Sequence, residues 1–277
     1  MRHRHLLSSA LLAALAALAP AQAAEPPSHD EARDFLRSLF VASPYRLNAN
    51  ALSGEIRYRM TTTAEQPWQP PRTGEQAVVV DGDGLQVSIC ADCGDEPAPS
   101  ADALKHYLSP NAWVRSDDPR IRSFARQHGR GRSVHARMEG LTEAVRTHMN
   151  GPIDYRHYHD AVTALQNRSG DCTEFAVLLT AVARARGIPT RIVHGIAYSG
   201  RLAGSTHVFS PHAWVQAWDG ARWTSYDAGF GQFGAGHIVL AIGDGDPASL
   251  RGLNRATRQL RIVDAAQIRR DRETASN

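Results

Sequence analysis

Cysteine is scarce in this chain. There are three, Cys90, Cys93 and Cys172. The first two stand in SICADCGDEPAP, where the following Gly and Pro argue against the helix start of a thioredoxin-like redox motif. A zinc site would require two more ligands at suitable spacing, and none is evident. The pair is therefore either a local disulfide or two free thiols, and if it is a disulfide, Cys172 is the thiol left over.

A strong charge of one sign is also missing. The net charge is +3, and the basic residues are spread along the chain, which gives no support for a nucleic-acid partner. No internal repeat or low-complexity segment is visible. Hydrophobic residues make up 42% of the chain and charged residues 21%, which is ordinary for a globular protein.

Long apolar runs are absent except at the N-terminus. Arg2 and Arg4 precede an apolar stretch over residues 6–19, and Ala21-Gln22-Ala23 follows. This order is typical of a secretory signal peptide. A membrane anchor is the alternative, but the stretch is shorter than the ~20 residues that a span needs. We predict cleavage after Ala23, no stable membrane insertion, and a periplasmic or secreted protein.

Residues 24–100 are predicted to form a helix and β-hairpin region. A helix begins near Ser28, a strand lies in ALSGEIRYRMTTT, and two strand-like runs flank Asp81-Gly82-Asp83-Gly84. That tetrapeptide predicts a hairpin turn. A calcium loop is the alternative, but Leu85 stands where the loop needs an oxygen ligand. Residues 94–100 interrupt the pattern and mark a boundary.

The remainder is predicted to be a second domain over residues 101–265, followed by a tail over residues 266–277. Helical periodicity dominates up to residue 166, and strand-like segments follow from residue 189. Helices followed by consecutive strands are typical of an α+β fold with a mainly antiparallel sheet.

Cys172 lies at the predicted start of an amphipathic helix. Asp171 and Glu174 have the spacing of a capping box, and Gly187 and Pro189 end the helix. The first turn of a helix stabilises an anion, so a thiol there can have a lowered pKa and act as a nucleophile. A small buried core residue is the alternative.

A base for such a thiol is predicted in SPHAWVQAWDGARWTSYDAG. A two-residue turn at Asp219-Gly220 would pair Trp218 with Ala221, and the same register sets His212 opposite Asp227 on one face of the sheet. A carboxylate in that place fixes the tautomer of an imidazole. The alternative is a surface histidine beside a strand-end aspartate.

These segments together resemble the transglutaminase-like superfamily of papain-like thiol enzymes. The resemblance covers residues 115–230 and rests on Gly-Asp-Cys at a helix start, on Gly-Ile-Pro after that helix, and on His-Ala-Trp in a strand. It implies that Cys172 is the nucleophile, His212 the base and acid, and Asp227 the orienting group. Bacterial members commonly have Pro where this chain has Ala228. Gln166 matches the papain-type spacing of an oxyanion donor, and a surface glutamine is the alternative.

The resemblance implies acyl transfer at peptide or isopeptide bonds, without cofactor or metal. We expect hydrolysis slightly more than protein crosslinking, and a non-catalytic binding module on the same fold is the rival from another class. Peptides, proteins and cell-wall amides are all compatible substrates. His157 and His159 have metal-ligand spacing, but the sequence shows no carboxylate or cysteine that completes the set. His237 is interpreted as structural.

Overall fold

The computed structural model describes residues 27–63, 69–247, 254 and 257–268. The predicted signal peptide over residues 1–23 and most of the predicted tail lie outside these residues. The helices are α1 His29–Arg37, α2 Ala49–Leu52, α3 Ala101–His106, α4 Pro119–Gln127, α5 Val134–His148, α6 Ala161–Asn167 and α7 Cys172–Ala185. The strands are β1 Val41–Ala42, β2 Glu55–Thr62, β3 Gln76–Asp81, β4 Gly84–Ile89, β5 Thr190–Leu202, β6 Ser205–Trp218, β7 Trp223–Tyr226, β8 His237–Gly243 and β9 Leu260–Ile268.

The strands form two antiparallel sheets. The first, which we call the central sheet, has the order β1-β6-β5-β8, and β7 also pairs with β6. The second has the order β3-β4-β2-β9, with a hairpin that turns at Gly82 and Asp83 as predicted. The α+β prediction is confirmed. No helix among the described residues is long and apolar enough to cross a membrane.

The strands do not respect the predicted domain limits. The last strand, β9, pairs along its length with β2 in the second sheet, whereas β1 pairs with β6 in the central sheet. The predicted limit at residue 265 falls inside β9, while the division into domains stays a prediction. Strand β2 offers an edge that a strand from much later in the chain can occupy, and local sequence patterns do not show such long-range pairing.

The central sheet has a hydrophobic core on each side. Helices α4 to α7 pack on one face, where residues of α7 such as Leu178, Leu179 and Val182 meet Val215 and Ala217 of β6. The second sheet contributes to the other core, which contains Tyr58, Val87, Phe209, Ile238 and Leu240 among others. Because α7 is covered on nearly all sides, its place against the sheet is fixed.

The ends of α7 are formed as the sequence predicts. Asp171 and Glu174 make the reciprocal capping box. At the other end, Gly187 has φ +72°, the Ile188 N–H donates to the Ala183 carbonyl at 3.1 Å and the Gly187 N–H donates to the Arg184 carbonyl at 2.9 Å. This pair of bonds is a Schellman motif.

A buried polar cluster joins the N-terminal region to the central sheet. Glu75 is 4% exposed; its carboxylate accepts hydrogen bonds from the Ser225 backbone N–H at 3.1 Å, from the Ser225 hydroxyl, and from Gln216 Nε2 at 3.2 Å. Its neighbour Gln76 exchanges hydrogen bonds with both backbone groups of Val239. Burial raises the pKa of Glu75, although the bonds from Ser225 and Gln216 oppose this shift.

We predict that Glu75→Ala destabilises the protein by about 2–4 kcal/mol, because it leaves buried donors of Ser225 and Gln216 without their acceptor. Urea denaturation measures the loss. The matched control is Glu139→Ala, which removes only an exposed pair with His135 and should change the free energy of unfolding by less than about 0.5 kcal/mol. Equal stability of the two variants would contradict the assigned role of Glu75.

Candidate active site

Cys172 is the first residue of α7 and stands at the mouth of a cavity. The Thr173 N–H donates to Asp171 Oδ1 at 2.8 Å, and the Asp171 N–H donates to Glu174 Oε2 at 2.9 Å, so the cap holds the helix start. Cys172 is half-buried and is the free cysteine, since Cys90 and Cys93 form a disulfide.

His212 and Asp227 meet as predicted, but through a different register. In the structure Trp218 pairs with Trp223 rather than with Ala221, because residues 219–222 form the loop. His212 and Asp227 are therefore not directly opposite each other, and that part of the prediction is wrong. A shift of two residues keeps side chains on the same face, and His212 Nε2 still lies 2.7 Å from Asp227 Oδ2.

The Asp227 carboxylate is buried and fully hydrogen-bonded. Oδ2 also lies 3.0 Å from His237 Nε2, and Oδ1 accepts the backbone N–H groups of Gly229 at 2.8 Å and Phe230 at 3.1 Å. Burial would raise the pKa of Asp227, but the charges and hydrogen bonds of His212 and His237 outweigh it and hold the pKa well below its usual range. The carboxylate makes these bonds with Ala228, rather than the Pro that the resemblance implies, next to it in the chain.

The imidazole of His212 is held between aromatic rings. Its ring stacks on Phe230 with centroids 4.2 Å apart and faces Trp214 at 6.0 Å. The bond to Asp227 occupies Nε2, which leaves Nδ1 for proton exchange with a thiol. A methyl group added to Gly229 would lie 3.3 Å from Asp227 Oδ1, 3.3 Å from His212 Cε1 and 3.9 Å from Cys172 Cβ. The three predicted side chains thus surround one point.

The thiol of Cys172 does not have the lowered pKa that its helix position predicts. Burial raises the pKa well above its usual value, and the neighbouring carboxylate of Asp171 raises it further, while the backbone N–H of Ala213 acts in the opposite direction. The prediction is corrected for this reason: the capping group that fixes the helix start also brings a negative charge to the sulfur.

The two capping carboxylates affect each other, and burial raises the pKa of Asp171 as well. Burial and then the charge of Asp171 raise the pKa of Glu174 to about 8, so Glu174 is mostly protonated at neutral pH. Oε1 of Glu174 accepts the N–H of His159 at 2.7 Å. The capping box therefore also anchors the loop that precedes α6.

The cavity beside Cys172 has a volume of about 420 Å³. Apolar side chains from α1, α7 and the loops dominate its wall, among them Phe35, Leu36, Ile153, Phe175 and Phe230. Helix α1, which belongs to the predicted N-terminal region, thus forms part of the site. Its contribution could not be read from the sequence, because α1 lies far from Cys172 along the chain.

Gln166 does not reach this cavity. It is exposed on α6 and is not one of the cavity-lining residues. The prediction of Gln166 as oxyanion donor is therefore corrected: α6 ends in a left-handed residue, Arg168 with φ 57°, and the chain turns before it enters α7. Spacing along the sequence does not fix direction across such a turn.

Tyr155 is a polar side chain of the cavity that the sequence analysis did not select. It is half-buried, and its hydroxyl has no hydrogen-bond partner among the described residues. Burial raises the pKa of Tyr155, and the charges of Asp171 and Cys172 add to the shift, so the hydroxyl keeps its proton and is available as a donor. A tyrosine between two helices has no sequence signature that would have revealed this.

His237, interpreted as structural from the sequence, contacts the carboxylate of Asp227. Its Nε2 bonds to Asp227, while its Nδ1 lies 3.1 Å from the Gly234 carbonyl oxygen. His212, Asp227 and His237 have the atom types of a metal site, with one ligand atom of each within 4.8 Å of the others. The hydrogen bonds from both imidazoles to one carboxylate account for this proximity without a metal.

Comparison with known proteins places this site in a family. Residues 122–228 match the model described as the transglutaminase-like superfamily, close to the range of the resemblance seen in the sequence. The chain therefore carries a transglutaminase-like core domain. Members of this superfamily are cysteine-dependent enzymes.

Two curated relatives match parts of the chain. A protein-glutamine gamma-glutamyltransferase of Pseudomonas aeruginosa is 34% identical over 124 residues, which cover 40% of this chain and 18% of that protein. An uncharacterized protein of Mycobacterium leprae is 39% identical over 72 residues, 25% of each chain. The matches thus span a quarter or less of these relatives. The crystal structure of the periplasmic domain of TgpA from Pseudomonas aeruginosa is 16% identical with a TM-score of 0.43, and covers 76% of this chain and 95% of that one.

We predict that Asp171→Asn speeds alkylation of Cys172 by iodoacetamide at pH 7. Because the Asp171 charge raises the thiol pKa, its removal lowers that pKa, and each unit raises the thiolate fraction about tenfold below the pKa. In the unmodified protein the rate should rise with pH into the alkaline range; in the variant the rise should begin at lower pH.

The rate of alkylation against pH, followed by intact mass, checks this prediction. Asn keeps an oxygen that can cap α7, so the helix start is preserved. Asp154→Asn is the matched control, because Asp154 pairs with Arg156 and His157 rather than with the sulfur. Identical profiles for Asp171→Asn and the unmodified protein would refute the electrostatic account.

Proposed function

We propose that this protein is an exported thiol enzyme that cleaves or transfers acyl groups at amide bonds through Cys172, His212 and Asp227. The observation that supports it most is the convergence of these three side chains beside a cavity, with Asp227 fixing the imidazole. The match of residues 122–228 to the transglutaminase-like superfamily supports the same chemistry. Peptide, protein or cell-wall amides are the proposed substrates.

The proposed reaction begins from a protonated thiol. His212 Nδ1 accepts the Cys172 proton as the sulfur attacks the amide carbonyl and the S–C bond forms. The C–N bond then breaks, and His212 returns the proton to the departing amine. Water then attacks the carbonyl carbon of the resulting thioester while His212 accepts its proton, the S–C bond breaks, and His212 returns the proton to the sulfur. The acid is released and the Cys172 thiol is restored. Asp227 stays ionised throughout and stabilises the imidazolium.

The oxyanion of the intermediate needs donors. The backbone N–H groups at the first turn of α7 have no partner within the helix. Those of Thr173 and Glu174 donate to the Asp171 side chain, and we propose that the N–H of Cys172 acts with the Tyr155 hydroxyl. A preorganised donor of this kind stabilises developing charge in a site with little water. Tyr155 takes the place that the sequence analysis gave to Gln166.

Hydrolysis is favoured over transfer by the lining of the cavity. Exposed carboxylates would recruit an amine acceptor such as lysine. Among the described residues that line the cavity, the one carboxylate is Asp171, and it is engaged in the cap of α7. Water needs no such site. Transfer to an amine is the second candidate, because a relative that is 34% identical over 124 residues is named a protein-glutamine gamma-glutamyltransferase.

Export is supported by two observations. The first 23 residues have the order of a signal peptide, and Cys90 and Cys93 form a disulfide, which persists in oxidising compartments. A periplasmic or secreted location is proposed on these grounds.

The decisive experiment is intact-mass detection of an acyl-enzyme. The protein is incubated with cell-wall peptides and with glutamine-containing peptides, with and without a primary amine, and the mass and the released products are followed. We expect an adduct on Cys172, none in Cys172→Ala, and release slowed by about 10²–10⁴-fold in His212→Ala. Acid as product identifies hydrolysis and a new amide identifies transfer; absence of any adduct and turnover would instead support a non-catalytic binding module.

We predict that Tyr155→Phe lowers kcat by about 10²-fold with little change in KM, because the lost donor acts on the transition state. Alkylation of Cys172 by iodoacetamide serves as the control, since it creates no oxyanion and should proceed at the unmodified rate. A variant with unchanged kcat would exclude Tyr155 from the oxyanion site, and a variant with slowed alkylation would indicate a displaced thiol.

A further inference from the structure

A second group of potential ligands lies on the loop between α5 and α6. Asp154, His157 and His159 each offer one ligand atom, and these atoms lie within 4.8 Å of one another. His157 Nδ1 is 2.8 Å from Asp154 Oδ2, and the two imidazole rings stack with centroids 5.6 Å apart and an angle of 16°. Asp154 is the carboxylate that the sequence analysis did not recognise as a partner for the two histidines.

The donor set has the composition of a transition-metal site. Two imidazoles and one carboxylate suit Zn²⁺, which accepts three protein ligands and leaves a fourth position to water. Tetrahedral bonds of about 2.0–2.2 Å to zinc place donor atoms about 3.3–3.6 Å apart, whereas His157 Nδ1 and Asp154 Oδ2 are 2.8 Å apart and all three donor atoms lie within 4.8 Å of one another. His157 is exposed and the other two residues are half-buried, so small side-chain rotations can adjust these separations without disturbing a packed core.

Arg156 also binds Asp154 and must be accommodated. Its Nε and its backbone N–H both contact Oδ1, at 3.0 and 2.9 Å, and its Nη2 lies 3.4 Å from Oδ2. The stronger contacts therefore hold Oδ1, while Oδ2 faces His157. Arg156 fixes the carboxylate in the orientation that presents Oδ2 to the histidines.

The loop is also preorganised from the other side. The backbone N–H of His159 donates to Glu174 Oε1 at 2.7 Å, so the backbone that carries His159 is tied to the start of α7. The bond uses the main chain, which leaves the imidazole of His159 free to turn toward a metal.

We propose that Asp154, His157 and His159 bind a divalent transition metal of the zinc class, at a site distinct from Cys172, His212 and Asp227. His157 lines the cavity beside Cys172, so the metal stands at the cavity wall. The inference does not depend on the enzymatic proposal, since it concerns binding alone.

Isothermal titration with ZnCl₂ tests the site in the Cys172→Ala variant, which removes the thiol as a competing ligand. We expect one zinc ion per chain. In the Cys172→Ala background, the added substitution His159→Ala should weaken zinc binding about tenfold or more. The added substitution His237→Ala removes one imidazole from the group around Asp227 and should leave zinc binding unchanged. Thermal unfolding of each variant verifies that it is folded, and the His159 main-chain bond to Glu174 is retained in both.

Each possible result either supports or overturns the proposal. Loss of binding with His159→Ala and retention with His237→Ala support the loop site. Loss with His237→Ala alone places the metal at the buried cluster and overturns the proposal. Retention in both variants, or no zinc bound by Cys172→Ala at all, overturns it as well.

Discussion

The buried carboxylate of Asp227 is the contact on which the site depends. Its two oxygens accept or share four hydrogen bonds, from two imidazoles and two backbone N–H groups. A charge so placed would cost several kcal/mol if its partners were absent. Because each carboxylate oxygen accepts two of these bonds, the carboxylate stays ionised, and the bond to Asp227 engages Nε2 of His212 and leaves Nδ1 for the proposed proton exchange. The hydrogen bonds of Asp227 thus fix both the orientation of the His212 ring and the ionised state of the carboxylate.

Local patterns were sufficient for most elements of the fold. The capping box of α7, its Gly187 end and the hairpin at Gly82 all depend on residues within a few positions of each other, and these were predicted correctly. The choice of Cys172, His212 and Asp227 as candidate site residues came from spacing and resemblance together. His212 and Asp227 lie on the same face despite the error in register, because the observed pairing differs from the predicted one by two residues, and an even shift keeps side chains on the same face.

Features that depend on distant contacts were not predictable. The wall formed by α1, the addition of β9 to the second sheet and the side of α6 that presents Gln166 all follow from tertiary packing. The prediction of a lowered thiol pKa was wrong for another reason. The helix position suggests stabilisation of an anion, whereas the burial of Cys172 and the adjoining Asp171 charge act against it. Which of these opposing effects on the thiol pKa dominates can be decided only from the coordinates.

The pairing of β9 with β2 has a consequence for how the molecule is made. One edge of the second sheet remains open until the last described strand has been synthesised, so the chain must bring together segments from its two ends. Contacts of such long separation form slowly, since loop-closure entropy is lost before they stabilise anything. Meanwhile β2 exposes unpaired backbone groups that another copy could bind. The interval before β9 pairs with β2 is therefore the stage of folding at which two copies of the chain can pair incorrectly through the open edge.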